Sequence, residues 1–288
     1  MGRGDEHTRT GGPVDHRLTR RGLLAGVLAA AALAACDDVP GVTPTPEPSF
    51  DPPGDAPLAT WELTGGFTAA GIAALRPPRL VVYGDGDAIA DAAYRSRLDP
   101  DQLRALASGL AEDLRSNATQ KKPTATPTIV DAPVTKVTVW SASGTLTFTA
   151  EGLDELKPDH VYADVLYDAR DRLAAVHKAV SATAQPYLAA RVRVVAAPAQ
   201  DGTGGSVGLG TISADPSASA SVSAWPPDIT LPSPDSEGLR RADLEGDAAR
   251  AAVRMLTRDL DQRGAWPAYR MGDGTIVRAS WRYLLPNE

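Results

Sequence analysis

The rhythm of apolar and polar positions changes from segment to segment along this chain. Gly22–Ala35 is an unbroken apolar run of 14 residues, short of the roughly 20 that a bilayer-spanning helix needs. From Asp37 to Leu58 proline replaces the apolar rhythm, with seven prolines in 22 residues. Such a stretch favours extended polyproline geometry at about 3.1 Å per residue and does not pack. Periodic sequence begins near Ala59.

Thr60–Thr64 predicts a short strand, and the β-branched run Arg79–Tyr83 a stronger one. Gly84-Asp85-Gly86-Asp87 is a tight-turn signal, after which Ala88–Arg97 returns as a weaker strand. Asp99-Pro100 is a helix start, an Asp cap with proline at the first helical position. Leu103, Leu106, Ala107, Leu110 and Leu114 then recur at helical spacing. Ser116–Pro133 is polar and proline-punctuated, a loop. The pattern then repeats: alternation over Val134–Trp140, a turn at Ser141–Gly144, a partner strand at Thr145–Ala150. A helix follows from about Asp159, with Tyr162, Val165, Leu166, Ala169, Leu173, Val176 and Val180 on one face. Two strand–turn–strand–helix units predict an α+β fold, an antiparallel sheet with helices on one side.

Arg191–Ala197 adds another strand. Residues 198–228 are rich in Gly, Ser and Ala and read as a linker. Beyond it, a helix is expected from near Asp243 to Gly264, with Leu244, Ala248, Ala251, Met255 and Leu256 inward. A hairpin follows, Ala268–Met271 and Thr275–Leu285 around Gly272-Asp273-Gly274. Residues 229–288 are few for an independent core and are expected to pack on the first unit. The chain thus divides into 1–35 signal peptide, 36–58 spacer, 59–197 α+β unit, 198–228 linker and 229–288 helix–hairpin segment.

The apolar run near the start gains its meaning from what flanks it. Arg17, Arg20 and Arg21 precede it, and Leu33-Ala34-Ala35-Cys36 closes it, the arrangement of a secretory signal with small residues at its end. Leu33-Ala34-Ala35-Cys36 resembles a bacterial lipobox. The resemblance implies a diacylglyceryl group on the Cys36 thiol and cleavage just before it by the lipoprotein-processing machinery. Two acyl chains make a stable anchor where one gives only reversible binding. Thr19-Arg20-Arg21-Gly22-Leu23-Leu24 resembles the twin-arginine export motif, with Leu23 in place of the usual Phe and Ala25 in place of the usual Lys; an ordinary secretory signal is the other reading. The implied address is the extracytoplasmic face of the cell membrane. The bias to Ala, Arg, Asp and Pro, and the ending Trp281–Glu288, resemble lipoproteins of high-GC Gram-positive bacteria.

Charge narrows the partners. Removing residues 1–35 takes away five basic and three acidic side chains, moving the net charge from −7 to −9. An acidic body is repelled by an anionic leaflet and lacks the basic face that nucleic acids require. Cys36 is the single cysteine, so there is no intrachain disulfide and no zinc site of several thiolates. Aromatic residues make up only 5%, so the core must be built from Ala, Val and Leu.

Several patterns suggest chemistry and have plainer explanations. His160 and His177 are the two histidines beyond the signal, and His177 borders the second helix's apolar stripe as a structural residue would. Gly204-Gly205-Ser206-Val207-Gly208 fits a nucleophile elbow in letters, but no histidine follows Ser206 as that motif requires; a glycine-rich linker accounts for it. Asp164, Asp168 and Asp171 share a helix face where they could bind a hard cation or act as acid and base, or stand solvated beside Arg170 and Arg172. Asp85-Gly86-Asp87 hints at a calcium loop and fits a hairpin turn better. Trp225, Trp266 and Trp281 could line a sugar- or peptide-binding groove, or anchor packing.

Leu63-Thr64-Gly65-Gly66-Phe67, followed by strands, a helix, a hairpin and another helix, is similar to the emfourin family over residues 60–180. Those small proteins inhibit thermolysin-like metalloproteases, and the resemblance implies inhibition as an alternative activity. The lipobox resemblance implies a membrane-anchored envelope lipoprotein of undetermined molecular activity, read as a non-enzymatic binding or interaction module without cofactor or metal, with the identity of any protein partner left open. An envelope hydrolase is the remaining alternative.

Overall fold

The computed structural model describes residues 52, 54–66, 68–115, 129–141, 144–199, 222–260 and 266–288. Residues 47–288 form one compact unit. Among the described residues the fold is α+β, two largely antiparallel sheets with four helices.

The first sheet has six antiparallel strands in the order β4-β3-β2-β1-β5-β6. They are β1 (Pro57–Gly65), β2 (Leu80–Tyr83), β3 (Asp87–Ala90), β4 (Tyr94–Arg97), β5 (Pro133–Ser141) and β6 (Gly144–Glu151). The short helix α1 (Ala70–Leu75) lies between β1 and β2 in the chain, and α2 (Pro100–Arg115) follows β4. The start of α2 is a reciprocal cap. Gln102 N–H donates to Asp99 Oδ1 at 2.8 Å, and Asp99 N–H donates to Gln102 Oε1 at 3.1 Å, so two donors that the helix cannot satisfy internally are held.

After β6 comes one 3-10 turn, Lys157–Asp159, then α3 (Asp164–Ala182). Helices α2 and α3 lie side by side against one face of this sheet, where Ala59, Trp61, Leu80, Val82, Val137, Val139 and Phe148 meet Leu106, Leu110, Leu114, Leu166, Leu173 and Val180. Each fully buried side chain of this size contributes about 1.5–3 kcal/mol.

The second sheet has five strands in the order β8-β10-β11-β7-β9. These are β7 (Val192–Pro198), β8 (Ser223–Ala224), β9 (Arg240–Leu244), β10 (Ala268–Arg270) and β11 (Ile276–Tyr283), with α4 (Gly246–Met255) between β9 and β10. Only the β8–β10 pair is parallel. One face of this sheet shares a core with Val81, Tyr83 and Ile89 of the first sheet and with Ala249, Ala251 and Ala252 of α4. Leu75 of α1 and Trp266 close over Val195 of β7.

Five expectations shift against this structure. The spacer ends earlier than residue 58: β1 begins at Pro57, and Leu58 is fully buried. The weaker strand over 88–97 is two strands, split where Asp91 and Ala92 adopt left-handed backbone at φ 51° and 47°. The second helix starts at Asp164 rather than Asp159, because Pro158 sits in the 3-10 turn and His160 leaves it at φ 49°. The helix expected from Asp243 is α4, Gly246–Met255; Asp243 and Leu244 belong to β9, paired with Arg193 and Val192.

The division at 198–228 is also corrected. β7 sits between β11 and β9, so residues assigned to separate segments interleave in one sheet, and Ser223–Ala224 of the expected linker pairs with β10.

Candidate functional site

Strand β11 outruns its neighbour. β10 pairs with residues 276–278 and Ala279 N–H still reaches the Pro267 carbonyl, so among the described residues one side of 280–283 has no strand partner, and residues 256–260 clasp it instead. Ser280 Oγ–H donates to the Thr257 carbonyl and accepts from Asp259 N–H, both at 3.0 Å, while Trp281 Nε1–H donates to the Leu256 carbonyl at 2.9 Å. From this clasp the Arg258 guanidinium extends over the rings of Trp281 and Tyr283, 5.3 and 5.0 Å from their centroids. It donates to the Ala92 carbonyl in the turn between β3 and β4. Burial lowers the Arg258 pKa, while the Tyr283 and Tyr94 hydroxyls pull it the other way.

Asp91 in that same turn gathers a histidine and an arginine. His177 Nε2 of α3 lies 2.7 Å from Asp91 Oδ2, and Arg79 Nη1 lies 3.0 Å from Oδ1. The second contact is an ion pair off the hydrogen-bonding direction, so Oδ1 accepts no bond. Trp61 completes the group, its indole edge-on to the His177 ring at 5.8 Å and 5.9 Å beneath the Arg79 guanidinium.

On the opposite face of β11 from Trp281, Arg282 is 5% exposed. Its Nη1 and Nη2 donate to Glu288 Oε2 and Oε1, both at 2.6 Å, and Nη1 also donates to the Tyr283 carbonyl, while Nε is buried without an acceptor. Burial pushes the Glu288 carboxyl up, but the bonds from Arg282 and the Leu285 N–H, with the Arg193 charge, hold it below its ordinary value.

Asp91, Arg258, Asp259, Trp266, Trp281 and Arg282 line a cleft with Leu75 and Pro77. Its cavity volume is about 20 Å³, room for one water. Its charges are engaged. Asp91 holds His177 and Arg79, Arg282 holds Glu288, and Asp259 accepts from Trp266 Nε1 at 2.9 Å. Ser181, one helical turn after His177, has a buried hydroxyl without a partner, shielded from any substrate it would attack. The arrangement pairs charges across elements and staples the two sheets together.

The residues singled out by pattern do not converge here, with three exceptions, His177, Trp266 and Trp281. Both tryptophans are packing anchors, 1% and 6% exposed. Trp225 stands edge-on to Tyr269 and donates to the Ile229 carbonyl. His160 is exposed and sits 3.0 Å from Asp164. Asp171 binds Lys157 and Arg170, whereas Asp168 points to solvent. Asp85 Oδ1 accepts from Asp87 N–H inside the hairpin turn, and Asp87 binds Arg95. Among the described residues no three His, Cys, Asp or Glu side chains gather as metal ligands, and no helix is long and apolar enough to cross a membrane. Arg20, Arg21, Leu33, Ala34, Ala35, Cys36 and Ser206 lie outside the described residues.

Asp91, Arg258, Arg282 and Glu288 escape a reading by pattern. Asp91 stands among alanines with no Gly or Pro beside it to mark the turn. Arg282 carries a faint signal, a cation between Trp281 and Tyr283 in a strand both of whose faces are covered. No protein-family model matches the chain, and no curated protein or solved structure resembles it at a significant level.

Proposed function

We propose that this is a lipid-anchored protein of the extracytoplasmic membrane face, a non-enzymatic interaction module held off the lipid by a proline-rich tether. One observation carries the reading. Leu33-Ala34-Ala35-Cys36 is followed at once by the proline-punctuated stretch, and that stretch runs to Pro57, where β1 enters the middle of the six-stranded sheet. Anchor, tether and fold succeed one another without a gap, and a single lipidated cysteine at the head of the tether suffices to hold the body. A proline-rich stretch favours extended polyproline geometry at about 3.1 Å per residue, which suits a spacer. An acidic body is repelled by an anionic leaflet rather than drawn onto it. The cleft beside Arg258 admits one water, which favours recognition by an extended surface over capture of a small substrate.

The test is metabolic labelling with a fatty acid in a bacterial host. The wild-type chain takes up label and fractionates with membranes, and Cys36→Ala loses both. Label retained by Cys36→Ala defeats the reading.

A further inference from the structure

Four sheet edges end the two sheets, and three carry protection. β4 has four residues, and its outer side is covered where Arg95 N–H donates to the Gln185 carbonyl and Tyr187 N–H to the Ala93 carbonyl. β8 has two residues. β9 is short and charged, with Asp243 gripped by Arg193 at 2.8 and 2.9 Å. β6 differs. It runs eight residues, Gly-Thr-Leu-Thr-Phe-Thr-Ala-Glu, in unbroken register with β5 from Val134↔Glu151 to Ser141↔Gly144. It has no proline, no bulge and no charge before Glu151. Every second residue of an edge strand turns its N–H and C=O away from the sheet, and a long, flat, uncharged edge is a template for another strand. Among the described residues only Tyr162 reaches the end of this one, donating to the Glu151 carbonyl.

We propose that β6 pairs edge to edge with β6 of a second copy of this chain, antiparallel, joining two six-stranded sheets into one. This rests on the reading of the fold as an interaction module and not on the lipid. A two-fold interface needs a self-complementary strand, and β6 is one when Thr147 faces its own equivalent. Thr145 then lies opposite the partner's Thr149 on the outer face, extending the Thr138–Thr147 hydroxyl contact across the junction. Leu146 lies opposite the partner's Phe148 on the helix-covered face, twice, as apolar cross-strand pairs. The uncharged run 144–150 lets two acidic bodies meet without like charges opposed at the seam. A strand pair alone buries less than the roughly 1,200 Å² of a standard interface, so pairing is weak in dilute solution. Tethering on one leaflet raises the effective concentration and favours it.

The experiment uses the full chain with Cys36→Ser, which removes the only native thiol, and adds single cysteines. Opposed residues in an antiparallel pair sit about 4.5–5.5 Å apart, within disulfide reach. Under mild oxidation at tens of micromolar protein, Thr147→Cys is expected to form a covalent dimer at least ten times faster than the exposed control Ser236→Cys. Thr145→Cys and Thr149→Cys are expected to cross-link when mixed and not alone. Thr147→Cys reacting no faster than the control overturns the proposal. So does self-linkage of Thr145→Cys at the Thr147→Cys rate, which means another register. Capture of a different polypeptide in intact cells, without a homodimer, assigns the edge to that partner and also overturns it. A circular-dichroism melt of each variant establishes that it is folded. Because the measurement is made without lipid, its failure leaves the anchor reading untouched.

Discussion

Arg282 holds Glu288 by both carboxylate oxygens, each at 2.6 Å, and this fork fastens the last residues of the chain to the second sheet. Tyr83 and Tyr187 reach the same segment from the first sheet and its edge, through Asn287 Oδ1 and the Leu284 carbonyl, both at 2.8 Å. Burial raises both phenol pKa values, that of Tyr187 to about 12, so they stay protonated donors at neutral pH.

Glu288→Gln leaves the Arg282 guanidinium buried with a weaker acceptor. The expected loss is about 2–4 kcal/mol in a denaturant melt, because an uncompensated buried charge costs far more than the pair contributes. A loss below about 0.5 kcal/mol would mean that water replaces the fork.

The same fork sets an acid limit. Glu288 and Asp243 both titrate below their ordinary 4.5 and 3.8, Asp243 through its bonds from Arg193. The unfolded chain therefore takes up these protons first as pH falls. Their contribution is complete above the ordinary carboxylate range and disappears as pH drops through the depressed folded values. Stability should be flat above about pH 5 and decline below it, with a shallower decline in Glu288→Gln. Identical slopes for the two proteins would count against this.

Arg258 places a desolvated cation over two rings. Arg258→Ala should cost about 2 kcal/mol through lost stacking and packing. Arg258→Met, which fills the space without a charge to desolvate, should cost less. Paired thermal melts read the order, and a larger loss for Met than for Ala contradicts it.

Two turn glycines separate strain from collision. Gly86 and Gly274 sit at φ 90° and 86°, but a Cβ at Gly86 would lie 2.7 Å from the Leu98 carbonyl oxygen, whereas at Gly274 it meets nothing within 4 Å. Gly274→Ala should cost about 1–2 kcal/mol from left-handed backbone alone, and Gly86→Ala more. Conversely, exposed Ala184 at φ 51° predicts that Ala184→Gly stabilises by about 1 kcal/mol. Equal losses at the two glycines, or a loss at Ala184, would show that the backbone relaxes.

Much of this fold is legible along the chain because its signals are local. The Asp99–Gln102 cap marks α2, and alternation over β5 and β6 announces a hairpin that the register bears out. What escapes depends on distant partners. The break at Asp91 has no Gly or Pro to mark it, since Asp91 is held in its left-handed turn with help from His177, 86 residues on. Leu244 falls in helical phase with Ala248 and Ala251, yet pairing with Val192, 52 positions earlier, makes it a strand residue. α1, six residues long, is too short for periodicity to show. The site was least legible, because Arg258 and Arg282 mean nothing until β11 outruns β10.

The most direct measurement is the intact mass of the mature amino-terminal peptide from the membrane fraction. A lipid anchor at Cys36 requires a peptide that begins at this residue and carries a diacylglyceryl group. A mature chain that begins elsewhere, or begins at Cys36 without lipid, contradicts it.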